Sequence, residues 1–236
     1  MLRAVTFDFW GTLIDDRQSS AELRIEILGR ALPDIPRGRL ADAYAQAWQR
    51  FSQAGDLGYG LPPATILCDV LDGLETTLRP EIFGDVLDRW ESVHLDSAPP
   101  FVSGASRTLR TLRSRGFLIG LISDTGASPG RVLRQHLVRE GMRPLFDWLT
   151  FSNETGVTKQ RPQAFRSTLA ALGVEASEAL HVGDTPRRDI CGAQAVGMYA
   201  ALTIEVHDKR TDEVKPDLLV PALALLPELL ERWQPG

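Results

Sequence analysis

The most regular feature of the sequence is a series of short apolar runs, separated by longer segments with helical periodicity. The runs predict strands over residues 4–9, 117–123, 148–152, 179–183 and 198–204. Apolar residues at helical spacing predict helices over residues 106–114, 162–172 and 186–196, and a last helix from about residue 221. Two of these helices begin at a proline and are followed by a glycine, as helix ends favour. Alternating strands and helices predict an α/β fold with an open parallel sheet.

The stretch between the first two predicted strands has a different pattern. Residues 17–97 contain no strand-like run, and helical patterns cover about 19–33, 40–51, 63–72 and 80–95. The first pattern starts with Ser19 and Glu22, at the spacing of a capping box. The sequence therefore predicts a Rossmann-like core formed by residues 1–16 and 98–236, with an inserted α-helical domain at residues 17–97.

Composition and charge exclude several classes of partner. The net charge is −5 and no basic cluster stands out, so we expect no nucleic-acid partner. No segment approaches the roughly 20 apolar residues of a membrane span, and Asp8 interrupts the apolar N-terminal stretch, so we expect neither membrane nor signal peptide. Cys68 and Cys191 lack a metal-binding spacing and are interpreted as buried, reduced thiols. These features predict a cytoplasmic protein and leave its oligomeric state open.

Candidate chemistry begins at the ends of the first two predicted strands. Asp8 ends the first apolar run, and Gly11 and Thr12 then turn the chain. Ser123 and Asp124 close the second run. Because ligands bind beside the carboxyl ends of strands in open α/β sheets, these side chains are candidates for one site.

Two later segments add a cation and two further carboxylates. Lys159 is the first lysine of the chain, and it stands just before the helix predicted to begin at Pro162. The run 179–183 leads into Asp184, and Asp189 follows five residues later. Carboxylate oxygens are the ligands that Mg²⁺ prefers in proteins, so this segment is a candidate metal site.

In this order the four segments resemble the motifs of the haloacid dehalogenase-like hydrolase superfamily, and the inserted helices resemble its C1-type cap. The resemblance implies that Asp8 is a nucleophile that becomes transiently phosphorylated, and that Lys159 neutralises charge during catalysis. It implies phosphoryl binding by Thr12, Ser123 and Asp124, and Mg²⁺ binding by Asp8, the backbone carbonyl of Trp10, Asp184 and Asp189. The expected activity is hydrolysis of a small phosphorylated metabolite, with Mg²⁺ as cofactor.

Trp10 departs from the pattern of the phosphatases in that superfamily. They usually carry a second aspartate two residues after the nucleophile, where it serves as general acid and base. General acid–base help contributes about 10²–10⁴-fold to a rate, and an indole cannot supply it. We therefore expect a slow enzyme, one restricted to good leaving groups, or one with a substitute group such as Asp124.

Three other functions compete with hydrolysis of phosphate esters as the activity of this chain. A 2-haloacid dehalogenase also carries an aromatic residue at the position of Trp10, but it needs no metal and lacks the Asp184–Asp189 pattern. A phosphonate-cleaving enzyme requires a lysine in the cap, and this chain has none before Lys159. A weakly active or non-catalytic binding protein is favoured by Trp10, whereas the joint presence of Asp8 and the other motif residues opposes it.

Overall fold

The architecture is an open sheet of six strands in the order β3-β2-β1-β4-β5-β6, with all neighbouring strands parallel. We describe residues 1–233 of the chain in a computed structural model. The strands are β1 (Ala4–Phe7), β2 (Leu118–Ser123), β3 (Trp148–Phe151), β4 (Ala179–Gly183), β5 (Tyr199–Thr203) and β6 (Leu218–Val220). The predicted α/β fold with an open parallel sheet is confirmed.

Ten α-helices accompany the sheet within the described residues. Four lie between β1 and the rest of the core: α1 (Ala21–Ala31), α2 (Arg37–Asp56), α3 (Ala64–Gly73) and α4 (Pro80–Asp96). The others are α5 (Ala105–Ser114), α6 (Gly130–Arg139), α7 (Ser152–Thr155), α8 (Pro162–Leu172), α9 (Cys191–Gln194) and α10 (Leu226–Arg232).

Strand β1, between β2 and β4, is buried on both faces. Burial of this kind explains why the strands appear in the sequence as continuous apolar runs. On one face Val5 and Phe7 belong to a core cluster that includes Leu109 of α5. On the other face Ala4 belongs to a cluster that includes Phe165 of α8. Helices therefore cover both faces of the sheet, and the carboxyl end of β1 lies between those of β2 and β4.

Several elements differ from the sequence-based expectations. Strand β1 ends at Phe7, two residues earlier than expected, and the predicted helix 186–196 is a π-helical turn, Pro186–Ile190, followed by the short α9. Helix α10 begins later than expected, after a 3₁₀ turn at Leu223–Leu225. Strand β6 and helix α6 were not predicted. Strand β6 is a three-residue edge strand, and α6 buries Val132, Leu133 and Leu137 among polar residues. Tertiary packing stabilises both segments despite weak local patterns.

Helices α1 to α4 have an apolar core of their own. It includes Leu28 of α1, Leu40 of α2, Leu67 of α3 and Trp90 of α4, all at most 1% exposed. This packing explains the helical periodicity of residues 17–97, because each helix buries one stripe against its neighbours. The division into a core and a separate cap domain with those boundaries stays a prediction.

Cys68 and Cys191 are both exposed, so the expectation that these thiols are buried is wrong. Each lies on the outer side of its helix, where a small thiol costs little to solvate.

Within residues 1–233, none of the helices combines the length and the apolarity needed to cross a membrane.

Candidate active site

A cavity of about 480 Å³ opens at the carboxyl ends of the central strands. Its lining on the sheet side includes Asp8, Asp124 and Asp184, which follow β1, β2 and β4 respectively. Its opposite side includes Arg24 of α1 and Tyr44 of α2. The cavity therefore lies where the direction of strand order changes, the usual ligand position in an open α/β sheet, and helices of the 17–97 segment enclose it.

Lys159 joins two carboxylates at the floor of this cavity. Its ammonium nitrogen Nζ lies 2.5 Å from Oδ1 of Asp8 and 2.5 Å from Oδ1 of Asp189. All three side chains are nearly completely buried, with Asp189 fully so. Asp8 and Lys159 are 151 residues apart in sequence, and the parallel strand order brings them together. A buried ion pair with several hydrogen bonds holds the Asp8 carboxylate in one orientation.

Asp189 is held by donors on every side. Its Oδ1 also lies 3.1 Å from Nε2 of His181, and its Oδ2 accepts the backbone N–H of Thr185 at 2.8 Å. His181 is fixed in turn by a 2.9 Å contact between its Nδ1 and the hydroxyl of Thr6. Both oxygens of Asp189 are thus engaged by protein groups, and His181 supports them from beneath the cavity. His181 stands inside the segment that carries Asp184, but its sequence position gave no indication of this contact.

Burial and charge shift the pKa values of this cluster in different directions. Burial, with the nearby carboxylates of Asp189 and Asp184, raises the pKa of Asp8 well above its usual range despite the attraction of Lys159. Burial also acts to raise the pKa of Asp189, but Lys159 and His181 outweigh it and the pKa lies below normal. Burial opposes the charge of Lys159, yet Asp189 and Asp8 raise its pKa, so the ammonium group stays charged.

Asp184 completes the acidic cluster from the other side. Its Oδ2 accepts a hydrogen bond from Nζ of Lys209 at 2.6 Å, and its Oδ1 accepts one from the hydroxyl of Thr185 at 2.9 Å. Gly11 passes so close that an added Cβ would lie 2.4 Å from that Oδ2. Gly11 also has a φ of +71°, so both space and backbone conformation require glycine here.

Three carboxylates lie close enough together to hold a divalent cation. Asp8, Asp184 and Asp189 each present an oxygen within 4.8 Å of the other two. Within residues 1–233, Lys159 is the one buried ammonium among these three acids, and the partly exposed Lys209 bonds Asp184, so three ionised carboxylates still exceed the two cations by one charge. An all-oxygen set with excess negative charge suits Mg²⁺ better than a soft metal.

The other predicted site residues differ in their burial and in their contacts with the cavity. The hydroxyl of Thr12 lies 3.5 Å from Oδ2 of Asp8. Ser123 is buried at the end of β2, and its hydroxyl has no hydrogen-bond partner among the described residues. Asp124 lines the cavity, and its Oδ1 accepts the backbone N–H of Lys159 at 2.9 Å, which fixes the loop that carries the lysine. Burial raises the pKa of Asp124. The roles assigned to these residues stay predictions.

Trp10 forms part of the cavity wall. Its indole ring packs edge-on against Phe9, with ring centroids 5.0 Å apart, and lies 4.9 Å from the ring of His94 in α4. The side chain thus links the loop after β1 to the helices that cover the cavity. A metal contact of the Trp10 carbonyl stays a prediction.

The sequence analysis did not identify several residues that line the cavity, among them Arg24, His94 and Lys209. Lys209 carried a weak signal, because it is one of three lysines in the chain and the second of them at this site. Arg24 and His94 lie on amphipathic helices, where a single polar residue at an inward position is not distinguishable from its neighbours by periodicity.

Comparisons with known proteins agree with this architecture. The sequence profile of the haloacid dehalogenase-like hydrolases matches residues 2–197. The chain is 29% identical over 240 residues to haloacid dehalogenase-like hydrolase domain-containing protein 3 of Bos taurus, covering 97% of this chain and 94% of that one. It is 32% identical over 218 residues to a glyceraldehyde 3-phosphate phosphatase of Methanopyrus kandleri, covering 92% and 88% respectively.

A solved structure shows the same fold over nearly the whole chain. A 2-haloacid dehalogenase from Pseudomonas syringae superimposes with a TM-score of 0.76 at 24% sequence identity, covering 99% of this chain and 100% of that one. This likeness extends across the helices α1 to α4 as well as the sheet. On the extent of the profile match, the chain belongs to the haloacid dehalogenase-like hydrolases.

Proposed function

We propose that this protein is a Mg²⁺-dependent phosphatase that hydrolyses a small phosphorylated metabolite through an aspartyl-phosphate intermediate. The observation that carries the proposal is the buried Asp8–Lys159 pair at the floor of a cavity that Asp184 also lines. The likeness to a glyceraldehyde 3-phosphate phosphatase supports a phosphate ester as the substrate class. We further propose that residues 17–97 form a cap that closes this cavity.

In the first step, Asp8 attacks the phosphorus atom through Oδ2, since Lys159 holds Oδ1. A phosphorus–oxygen bond to Asp8 forms, and the bond to the leaving oxygen breaks. Lys159 offsets negative charge on the transferring phosphoryl group. Thr12, Ser123 and Asp124 orient this group, either directly or by holding the loops around it. A Mg²⁺ ion would be held by Asp8, Asp184 and the carbonyl of Trp10, with Asp189 beside it directly or through water, and would supply further charge neutralisation.

In the second step, water attacks the phosphorus of the aspartyl phosphate, releasing phosphate and restoring the Asp8 carboxylate. Asp189 acts as a positioning residue, because its two oxygens hold Lys159 and the backbone of Thr185. Trp10 offers no proton to the leaving oxygen, so the reaction favours esters whose leaving groups depart as weak bases.

A panel of phosphorylated metabolites, assayed for phosphate release with and without Mg²⁺, tests the proposal. We expect at least one small phosphate ester to be hydrolysed, and a chelator to abolish that activity. Phosphate release that persists unchanged in excess chelator would contradict the proposed role of the acidic cluster.

A second candidate function is hydrolytic dehalogenation of a 2-haloacid, favoured by the aromatic wall that Trp10 forms beside Asp8. Here Asp8 would displace halide from carbon and water would hydrolyse the resulting ester. Halide release from 2-chloropropionate that is insensitive to a chelator would favour this function. Mg²⁺-dependent phosphate release without halide release would exclude it.

Replacing Trp10 by aspartate should increase the hydrolysis of alkyl phosphates. The new carboxyl group would stand two residues after the nucleophile and protonate the leaving oxygen. We expect a rise in kcat of about 10–100-fold, below the full contribution of about 10²–10⁴ from general acid–base catalysis, because packing against His94 is lost. The matched control is Trp10→Asn, which opens the same space without a titratable proton. An equal gain in both variants would attribute the effect to space alone.

Replacing Lys209 by methionine should lower the Mg²⁺ concentration needed for half-maximal activity. Lys209 is 43% exposed and bonds the Asp184 oxygen that a metal ion would use, so the two cations compete. Because exposed ion pairs are weak, the expected decrease is about two- to fivefold. Lys215→Met, an exposed lysine without a salt bridge among the described residues, is the control. A higher Mg²⁺ requirement in Lys209→Met would show that Lys209 supports the metal ligand.

A further inference from the structure

Arg24 differs from every other buried charged residue that the structure describes. Six Asp, Glu, Lys and Arg side chains are buried within residues 1–233, and five of them pair with an opposite charge. Those five are Asp8, Asp189, Lys159, Asp184 and Glu91. Arg24 is only 2% exposed and makes no salt bridge in that part of the chain.

The hydrogen bonds of Arg24 leave much of its guanidinium group unused. One nitrogen donates to the hydroxyl of Ser20 and another to the hydroxyl of Ser128, at 3.1 Å for the latter. Its Nε is buried without a partner among the described residues. A guanidinium has five N–H donors. The hydroxyl of Tyr44, a phenol whose pKa is raised by burial and which is therefore neutral, also lies against the group, so at least two donors stay available. A buried cation with free donors is costly unless an anion completes it.

Neighbouring groups add no negative charge. Ser128 donates to the backbone oxygen of Glu91 at 3.0 Å, so His94 must donate its Nδ1 hydrogen to Ser128, 2.6 Å away. Burial, assisted by Arg24, lowers the pKa of His94 to about 3, which leaves this imidazole neutral. Burial lowers the pKa of Arg24 to about 10, which leaves the guanidinium charged at neutral pH.

The place of Arg24 connects it with the reaction centre. Arg24 and Asp8 line the same cavity, and the rings of Trp10 and His94 lie side by side in its wall. His94 reaches Arg24 through Ser128, whereas Trp10 is two residues from Asp8. A ligand whose phosphoryl group meets Asp8 would therefore extend along this wall towards the guanidinium.

We propose that Arg24 binds a carboxylate on the substrate, so that the preferred substrate is a small phosphorylated carboxylic acid. This inference rests on the proposed phosphatase function and narrows its substrate class. A carboxylate carries a single charge, which one guanidinium balances, and its two oxygens match the planar donor fork. A second phosphoryl group bound at Arg24 would carry two negative charges. The guanidinium would balance one of them and leave the other buried without a counter-charge.

The test compares two esters that differ at one position. In 3-phosphoglycerate a carboxylate stands where glycerol 3-phosphate has a hydroxymethyl group, and propane-1,3-diol bisphosphate provides a second phosphate instead. We expect wild-type kcat/KM for 3-phosphoglycerate to exceed that for either other ester by at least about tenfold. No preference for 3-phosphoglycerate would overturn the proposal, as would a preference for the bisphosphate.

Variants at Arg24 then assign the preference to this residue. Arg24→Met should lower kcat/KM for 3-phosphoglycerate about 10²-fold, mainly through KM, and change that for glycerol 3-phosphate less than about threefold. Arg30→Met, an exposed position on the same helix, is the matched control. Equal losses for both esters, together with a lower unfolding temperature, would show that Arg24 only joins α1 to Ser128. If Arg24→Met does not fold, Arg24→Lys should keep part of the preference, and a fully unchanged preference would contradict the proposal.

A binding measurement separates this inference from the phosphatase function. By calorimetry, the wild-type protein in Mg²⁺ should bind D-glycerate, which has the carboxylate but no scissile ester, more tightly than glycerol, and Arg24→Met should lose that difference. Absence of phosphate release from any ester alongside Arg24-dependent glycerate binding would refute the phosphatase function and retain the carboxylate site. Phosphate release alongside equal binding of glycerate and glycerol would refute the carboxylate site alone.

Discussion

Asp8→Asn should release phosphate at least about 10⁴-fold more slowly than the wild-type protein, because an amide oxygen cannot replace a carboxylate nucleophile. The substitution keeps the size of the side chain and leaves Lys159 and Thr12 in place around it. Initial rates of phosphate release from the best substrate of the panel provide the measurement. Incubation with substrate should also label wild-type protein, but not the variant, with a phosphoryl group that an acid quench preserves.

The matched control for this prediction is Asp16→Asn. Asp16 also lines the cavity, but it pairs with His207, 2.7 Å away, and has no contact with Lys159 among the described residues. We expect the control to keep its rate within about tenfold, since it loses a partly exposed ion pair. Asp8→Asn with near wild-type activity would refute the covalent mechanism, and comparable losses in both variants would point to general electrostatics instead.

Lys159→Met should abolish activity and also destabilise the fold. Methionine has a similar length but no charge, so Asp8 and Asp189 would lose the ammonium group that each contacts at 2.5 Å. Removing one partner from a buried ion pair typically lowers the free energy of unfolding by about 3–5 kcal/mol. Urea unfolding should therefore show a lower midpoint with little change in slope.

Two further variants separate the charge effect from general damage. Lys215→Met changes the same residue types at an exposed position and should leave both activity and unfolding midpoint unchanged. Adding Asp8→Asn to Lys159→Met should restore part of the lost stability, because one uncompensated carboxylate is removed. An unchanged unfolding midpoint in Lys159→Met would mean that the buried carboxylates do not depend on this lysine.

The helices and strands that the sequence predicted well are those with strong local patterns. Strand β4 was predicted with its observed bounds, because both its faces are buried and its residues are uniformly apolar. Strand β6 escaped prediction because three residues at a sheet edge carry too short a pattern. The π-helical turn at Pro186–Ile190 also escaped, because Asp189 bonds the backbone of Thr185 there, and periodicity does not register such a contact.

Local pattern also decided which residues of the candidate site could be predicted. The sequence located Asp8, Asp184 and Lys159, because each stands beside a strand end or helix start that local pattern defines. Ser123 ends β2 as predicted, but it is not among the residues that line the cavity, its hydroxyl has no partner among the described residues, and its role stays a prediction.

By itself, the sequence determined the α/β sheet and placed its acidic residues at the carboxyl ends of strands, because periodicity and turn residues act over short stretches of chain. Only the tertiary structure decided that Lys159 touches Asp8, that Lys209 bonds Asp184, and that Arg24 has no counter-charge among residues 1–233. These contacts join residues from distant segments, and they depend on strand order and on how α1 and α4 pack over the cavity. Local pattern cannot specify such contacts, because every inward-facing polar position on a helix looks alike until its neighbours are known.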